Sequence, residues 1–246
     1  MKIKLTLSYD GTAYCGYQVQ DGQITIQQVL EEAIKKATGE SVKTTASGRT
    51  DSGVHAKGQI VSFDTNCTIP PEKLYRAINV HLPNEIRAIK SEQVEEGFDA
   101  RRSAKKKTYL YRTYTAEVEN PLVDRYAVKV DKKVKVKDLK RVAKLFVGTH
   151  DFKCFCASGS SVKTTVRTIY GIKIVKNGEF VDFFVTGNGF LYNMVRTLVG
   201  TVFALSNKDE IERKEIVEKL LKTGDRTLVG KTFPAKGLTL YNVEYK

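Results

Sequence analysis

The 246-residue sequence predicts an α+β fold of two ferredoxin-like, RRM-like subdomains that share an extended sheet, mixed but mostly antiparallel. Three observations carry this. Short segments of alternating apolar residues recur along the whole chain, amphipathic helical patterns fall between them, and the order of the two kinds repeats loosely in each half.

In the first half, Ile3, Leu5, Leu7 and Tyr9 alternate as the buried face of a strand that ends at Asp10-Gly11. A helix is expected over Gln23–Thr38. Thr25 and Gln28 have capping-box spacing, Ile26, Val29, Leu30, Ala33, Ile34 and Ala37 form one stripe, and Gly39 stops it. Strands are expected around Val42–Ala46 and Gln59–Phe63. A second helix then opens at Pro70-Pro71 and runs to about Val80, followed by a strand over Ile86–Val94. The second half begins with a strand over Lys107–Thr115. Leu139, Val142, Ala143 and Phe146 mark a helix that ends at Gly148, and Cys154-Phe155-Cys156 reads as strand with both sulfurs on one face. Arg167–Lys176 and Phe180–Thr186 flank Asn177-Gly178, a hairpin signal. Leu191 to Val202 is a buried helix, Glu210–Thr223 a charged amphipathic one, and Leu238–Glu244 a last strand. These elements place one subdomain at 1–103 and the other at 104–246.

Composition narrows the class. Four cysteines are too few for a disulfide scaffold at this length and have no zinc spacing, so free thiols in a reducing cytoplasm are expected. No apolar run approaches a membrane span, and the N-terminus reads as a strand, not a signal segment. Lys and Arg number 41 against 28 Asp and Glu, a formal charge of +13 that attracts polyanions, nucleic acid being the commonest. Arg101, Arg102, Lys105, Lys106 and Lys107 form a basic run that leads directly into Tyr109, Tyr111 and Tyr114. Cations beside stacking rings suit RNA, although alternating tyrosines are also ordinary strand composition.

Two constellations can carry chemistry. Gly48-Arg49-Thr50-Asp51-Ser52-Gly53-Val54-His55-Ala56 packs a carboxylate, an arginine and a histidine onto one glycine-bracketed turn. Asp51 is either the cap of a salt-bridged turn, with Arg49 as neighbour, or an ionised nucleophile, base or charge stabiliser. His55 fits a structural or substrate-positioning role better than a metal or general-base role, because His81 and His150 lie in no ligand-spaced cluster with it. The other constellation is Gly187 to Arg196, a glycine-bracketed turn leading into an apolar helix. Arg196 either snorkels off the core or meets a carboxylate in a cleft between the halves, Asp51 being the best candidate.

Six blocks together resemble the TruA family of tRNA pseudouridine synthases. They are residues 47–56, Tyr9–Gln18 (YDGTAYCGYQ), Phe98-Asp99-Ala100-Arg101, Tyr109-Leu110-Tyr111, Gly189–Arg196 (GFLYNMVR) and Pro234–Leu238 (PAKGL), and they keep the family's order along the whole chain. The resemblance implies conversion of uridine to pseudouridine at positions 38 to 40 of the tRNA anticodon stem-loop, without cofactor or metal, by a homodimer that grips tRNA across both subunits. It also implies that Asp51 is the nucleophile, that Tyr109 stacks on the uracil and that Arg196 pairs with the aspartate. Arg49 would help displace or hold the target base. The residues themselves, apart from the resemblance, put Arg101, Lys105, Lys106 and Lys107 at the RNA phosphates and His55 in a structural or substrate-positioning place beside them. Many members have Trp where this chain has Tyr17, and the chain contains no Trp.

The residues suit that chemistry. The N-glycosidic bond breaks, the uracil turns and the ribose rejoins at carbon 5. Asp51 could attack carbon 6 of the ring, attack carbon 1 of the ribose, or remove a ribose proton on the way to a glycal; the sequence does not choose. Tyr109 offers a ring face for the detached base and a hydroxyl for the carbon 5 proton. Two other readings predict different behaviour. A non-catalytic RNA-binding protein would survive Asp51→Ala, and a metal-dependent phosphodiesterase using Asp51 and His55 would cleave RNA and be inhibited by chelators.

Overall fold

A computed structural model describes residues 1–131, 134–157, 159 and 162–245. The chain is mixed α+β and divides into two compact units, Met1–Lys105 joined by the segment from Thr239, and Lys106–Leu238.

The first unit runs β1 (Lys2–Tyr9), α1 (Ile26–Thr38), β2 (Thr45–Ala46), β3 (His55–Asp64), α2 (Leu74–Asn79) and β4 (Ile86–Val94). Alternation in β1 works as read: Ile3, Leu5, Leu7 and Tyr9 are buried while the residues between them are not. β1 is flanked by β3 and β4, both antiparallel, with Leu5 opposite Val61 on one side and Ser91 on the other. α1 starts at Ile26 because Thr25 is its cap, accepting from Gln28 N at 3.4 Å, and Gly39 ends it at φ 77°. The strand expected from Val42 shrinks to the two residues of β2, and β3 extends further in both directions than its apolar core suggests. Pro70 and Pro71 form a turn ahead of α2, whose helical residues begin only at Leu74.

The second unit runs β5 (Lys106–Thr115), α3 (Pro121–Asp124), β6 (Val128–Val130), α4 (Val136–Lys144), β7 (Gly148–Asp151), β8 (Val166–Asn177), β9 (Phe180–Gly187), α5 (Met194–Leu205) and α6 (Glu210–Thr223). Its strands pair in the order β6, β5, β9, β8, β7, antiparallel except for β5 with β6. The β8–β9 hairpin is present, but its two loop residues are Gly178 and Glu179. Gly178, at φ 58°, takes the first loop position, where a type II′ turn favours glycine. α4 stops four residues short of Gly148, which opens β7 instead.

Cys154-Phe155-Cys156 is not a strand. Lys153–Phe155 is a single 3-10 turn, started by Asp151 Oδ1 accepting from Lys153 N at 3.0 Å. Phe152 and Phe155 both join a ring cluster, with Phe155 5.5 Å from Phe146 and 5.8 Å from Phe152. Residues three apart eclipse in a 3-10 turn but oppose each other in a strand, so the cluster demands the turn.

The last strand, β10 (Leu238–Glu244), lies parallel to β3 through Thr239 opposite His55 and Leu240 opposite Ala56. The sequence reading keeps residues 104–246 together. The structure instead groups the chain from Thr239 with the first unit, through this ladder and through Lys105 N donating to Glu244 O at 2.8 Å. Tyr245 adds a hydroxyl bond to Ala100 O at 2.8 Å and a ring contact with Phe98 at 5.0 Å. Among the described residues no helix is long and apolar enough to cross a membrane.

Candidate active site

Asp51 opens a four-residue turn immediately before β3. Val54 N donates to Asp51 O at 3.1 Å, and Gly53 takes the third position at φ 75°, where a type II turn requires positive φ. The carboxylate-bearing residue is half-buried, Arg49 and Ser52 are exposed, and Thr50, Val54 and His55 are buried. The turn therefore holds Asp51 out from an anchored base.

That base is a buried polar network. Gln59, wholly buried on β3, donates from Nε2 to Gly48 O at 2.7 Å and accepts the Ser47 hydroxyl on Oε1 at 2.6 Å. The same Nε2 lies 3.4 Å from Tyr9 Oη, which is bonded to Thr50 Oγ1 at 2.8 Å. Burial pushes the Tyr9 hydroxyl up to about 12, so it stays protonated and available for that bond. A network in which each member has a partner fixes a loop far better than exposed contacts do.

The segment Asp10–Tyr17 lies against the Asp51 turn at backbone distance. A Cβ on Gly11 would stand 2.0 Å from Val54 O, and one on Gly16, itself at φ 83°, 2.8 Å from Thr50 O. Tyr17 N donates to Thr50 O at 3.0 Å and Ser52 Oγ to Tyr14 O at 3.2 Å. His55, 4% exposed, serves the same packing. Its Nδ1 lies 3.1 Å from both Gly11 N and Asp10 Oδ1, alternatives decided by whether that nitrogen carries the proton. Asp10 Oδ1 also caps Thr12 through its amide at 3.0 Å and its hydroxyl at 2.6 Å.

Tyr17 is 2% exposed, and burial pushes its hydroxyl up. Among the described residues the Tyr17 hydroxyl has no hydrogen-bond partner. The neighbouring Thr44 hydroxyl eases the shift but falls short of bonding geometry, and its own proton goes to Glu31 Oε1 at 2.8 Å.

In the second unit, Tyr109 sits on β5 opposite Val185 of β9, 8% exposed, with Phe190 edge-on at 5.2 Å and 89°. Arg196 lies in the first turn of α5, half-buried. Its Nε donates to Phe233 O at 2.7 Å and its Nη1 to Asn193 Oδ1 at 2.7 Å. Phe233 is in turn anchored by its ring, 5.3 Å from Phe203 and 5.9 Å from Tyr111. Tyr111 donates to Pro234 O at 2.7 Å; burial pushes its hydroxyl up, and the nearby Arg196 charge pulls the other way.

The basic run does not form one uniform surface. Arg101 and Arg102 are exposed on a turn whose amides are both capped by Asp99 Oδ1 at 2.8 Å. Lys105 precedes β5, while Lys106 and Lys107 alternate along it, and the Lys106 ammonium lies 5.7 Å over the Tyr170 ring. Burial pushes the Cys154 thiol up to about 11, which makes it a poor nucleophile. Among the described residues no group of three or more His, Cys, Asp or Glu is placed to hold a metal ion.

Sequence reasoning gave no role to several residues that build these sites: Tyr9 and Thr50 around Asp51, and Phe190 and Asn193 in the second unit, lie within the motif blocks it singled out, whereas Gln59 and Phe233 lie outside them. A glutamine within the apolar strand Gln59–Phe63 and two glycines within eight residues of Tyr9 were the available signals.

Comparison with known proteins places these features in a family. Residues 6–101 and 142–246 match the family model described as tRNA pseudouridine synthase. The tRNA pseudouridine synthase A of Thermoanaerobacter sp. (strain X514) is 42% identical over 243 residues, covering 99% of each chain. That of Bacillus subtilis (strain 168) is 41% identical over 247 residues, covering all of this chain and 99% of its own. The tRNA pseudouridine synthase A 2 of Clostridium perfringens (strain 13 / Type A) is 44% identical over 243 residues, again covering 99% of each. A chain from the crystal structure of the archaeal box H/ACA sRNP Nop10-Cbf5 complex overlaps 96% of this chain and 59% of its own, with a TM-score of 0.37 and 13% identity, a likeness too slight to carry weight. On the family model and the full-length relatives, the chain belongs to the tRNA pseudouridine synthase family.

Proposed function

We propose that this chain isomerises uridine to pseudouridine in the anticodon stem-loop of tRNA, at positions 38 to 40, with Asp51 as the nucleophile. The observation that carries the reading is the construction of the Asp51 turn. A half-buried carboxylate is held on a loop whose flanks are fixed by buried polar side chains and whose neighbouring segment has glycine wherever a side chain would intrude. A cap on an ordinary turn needs no such support.

Arg196 is the cation that pairs with Asp51 and keeps it ionised and oriented. Tyr109, with Phe190 against its edge, supplies the ring surface for the detached uracil, and its hydroxyl takes the proton from carbon 5. The bond from N1 to carbon 1 of the ribose breaks, the bond from carbon 5 forms, and the carbon 5 proton is balanced by one gained at N1. No cofactor, metal or co-reactant enters. The target base is flipped from its stack, Arg49 holds or displaces it, and Arg101, Lys105, Lys106 and Lys107 neutralise phosphates. His55 supports the turn behind the substrate. The active form is a homodimer in the cytoplasm.

The test is conversion of an unmodified tRNA transcript without added metal, detected by carbodiimide labelling and primer-extension stops. Wild-type protein should give stops at positions 38 to 40, and Asp51→Asn none, while tRNA binding persists. Normal turnover by Asp51→Asn would remove the nucleophile from this reading. Stops elsewhere would remove the anticodon site.

A further inference from the structure

Asn193 is the only non-glycine residue with positive φ among the described residues, at φ 62° and ψ 1°. Asparagine tolerates this left-handed conformation better than most residues, yet glycine takes it more easily still. The side chain must therefore have a use of its own. An asparagine preceding a helix ordinarily caps it by accepting from an amide in the first turn. Asn193 makes no such bond. Its Oδ1 turns instead to Arg196, three residues on, and accepts from Nη1 at 2.7 Å. Chemistry fixes the identity of that atom, because a guanidinium has only donors and the amide must present its oxygen.

The left-handed step also displaces the start of α5. The apolar pattern predicts helix from Leu191, but helical residues begin at Met194, directly after Asn193, which puts Arg196 in the first turn. Phe233 O holds Nε at 2.7 Å from the opposite chain segment, and Phe233 N donates back to Arg196 O at 3.3 Å. Acceptors on two different nitrogens of a planar group fix both its position and the twist of its plane.

We infer that Asn193 is a positioning residue for the reaction, acting through Arg196 by fixing the orientation of its guanidinium. The inference rests on the proposed role of Arg196, and the experiment separates the two. The variants are Asn193→Gly, Asn193→Asp, Arg196→Lys and the double variant of Asn193→Gly with Arg196→Lys. Each is measured for melting temperature, affinity for an unmodified tRNA transcript, and single-turnover pseudouridine formation with enzyme saturating.

Asn193→Gly keeps the backbone conformation and loses the acceptor. It should melt and bind tRNA as wild type does, while the single-turnover rate falls about tenfold or more, the scale of a lost bond to a charged group. Asn193→Asp keeps an acceptor and should retain more of the rate than Asn193→Gly. The double variant should be no slower than Arg196→Lys alone, since the asparagine acts only through the arginine. A wild-type rate for Asn193→Gly, equal losses in the Gly and Asp variants, or losses that multiply in the double variant would each overturn the inference. Full activity in Arg196→Lys would overturn the parent assignment instead.

Discussion

Gly11→Ala tests whether the close packing of the Asp10–Tyr17 segment sets the position of Asp51. The added Cβ would stand 2.0 Å from Val54 O, a backbone atom that cannot rotate away, whereas such contacts essentially never fall under 3.0 Å. One of the two backbones must therefore recede by about 1 Å. Val54 N is bonded to Asp51 O at 3.1 Å, so the displacement enters the turn that carries the carboxylate. Misplacing a reacting group by about 1 Å costs on the order of a hundredfold in rate. Overpacking of this kind costs about 1–3 kcal/mol of stability, or roughly 2–4 °C of melting temperature per kcal/mol for a chain of this size. The variant should thus remain folded at 25 °C and bind tRNA, yet form pseudouridine about a hundredfold more slowly in single turnover. Gly97→Ala is the control, because a Cβ there meets nothing within 4 Å and the backbone needs no positive φ. It should stay within about 1 kcal/mol of wild type and lose no activity. A folded Gly11→Ala variant with a rate within about threefold of wild type would refute the reasoning, since Asp51 would then be indifferent to the backbone beside it.

Other outcomes follow from the same structure. Tyr17→Phe removes a buried hydroxyl that has no bonding partner among the described residues, and should raise stability by about 1 kcal/mol in denaturant melts; a loss of that size would mean the hydroxyl is satisfied. Replacing Lys105, Lys106 and Lys107 with Gln should weaken tRNA binding and flatten the slope of log affinity against log salt by about 0.9 for each phosphate no longer neutralised. Unchanged affinity would place the RNA elsewhere. Bonds from Lys90 and Lys4 hold the Glu92 carboxyl below the usual carboxylate range. A lowered folded value contributes stability above the ordinary carboxylate range and loses it as pH falls through the folded value. Glu92→Gln should therefore shallow the loss of stability in acid, read from melting temperature against pH, and an identical acid limb would count against the pairing.

How much of this was legible in the sequence depended on how local the cause was. β1, α1 with its Thr25 cap and Gly39 stop, the β8–β9 hairpin and α6 each follow from a pattern inside one short window, and each is found close to where that window puts it. The failures share a different origin. The turn at Lys153–Phe155 is decided by a ring cluster that includes Phe146, and the grouping of β10 with the first unit by its ladder with β3, about 180 residues earlier in the chain. Neither cause is visible in the window where its effect occurs.

The same distinction explains what was missed around the candidate site. Asp51, Arg196 and Tyr109 could be singled out because charge on a glycine-bracketed turn, charge on an apolar helix and rings beside a basic run are local anomalies. The residues that hold them are not anomalous by type. Gln59 reads as one polar position in a strand until its amide is found between Gly48 O and Ser47 Oγ, and Asn193 reads as one polar position inside a helix that starts at Leu191 until its oxygen is found on Arg196. Candidate reactive groups announce themselves by being costly where they stand. Their supports are ordinary residues in which only the partner is unusual, and the partner is supplied by the fold. In this chain the distinction has a practical consequence. Substituting Asp51 tests the proposed chemistry, but only the proposed supports, Gly11 and Asn193, test whether the fold places that chemistry to within the ångström that catalysis requires.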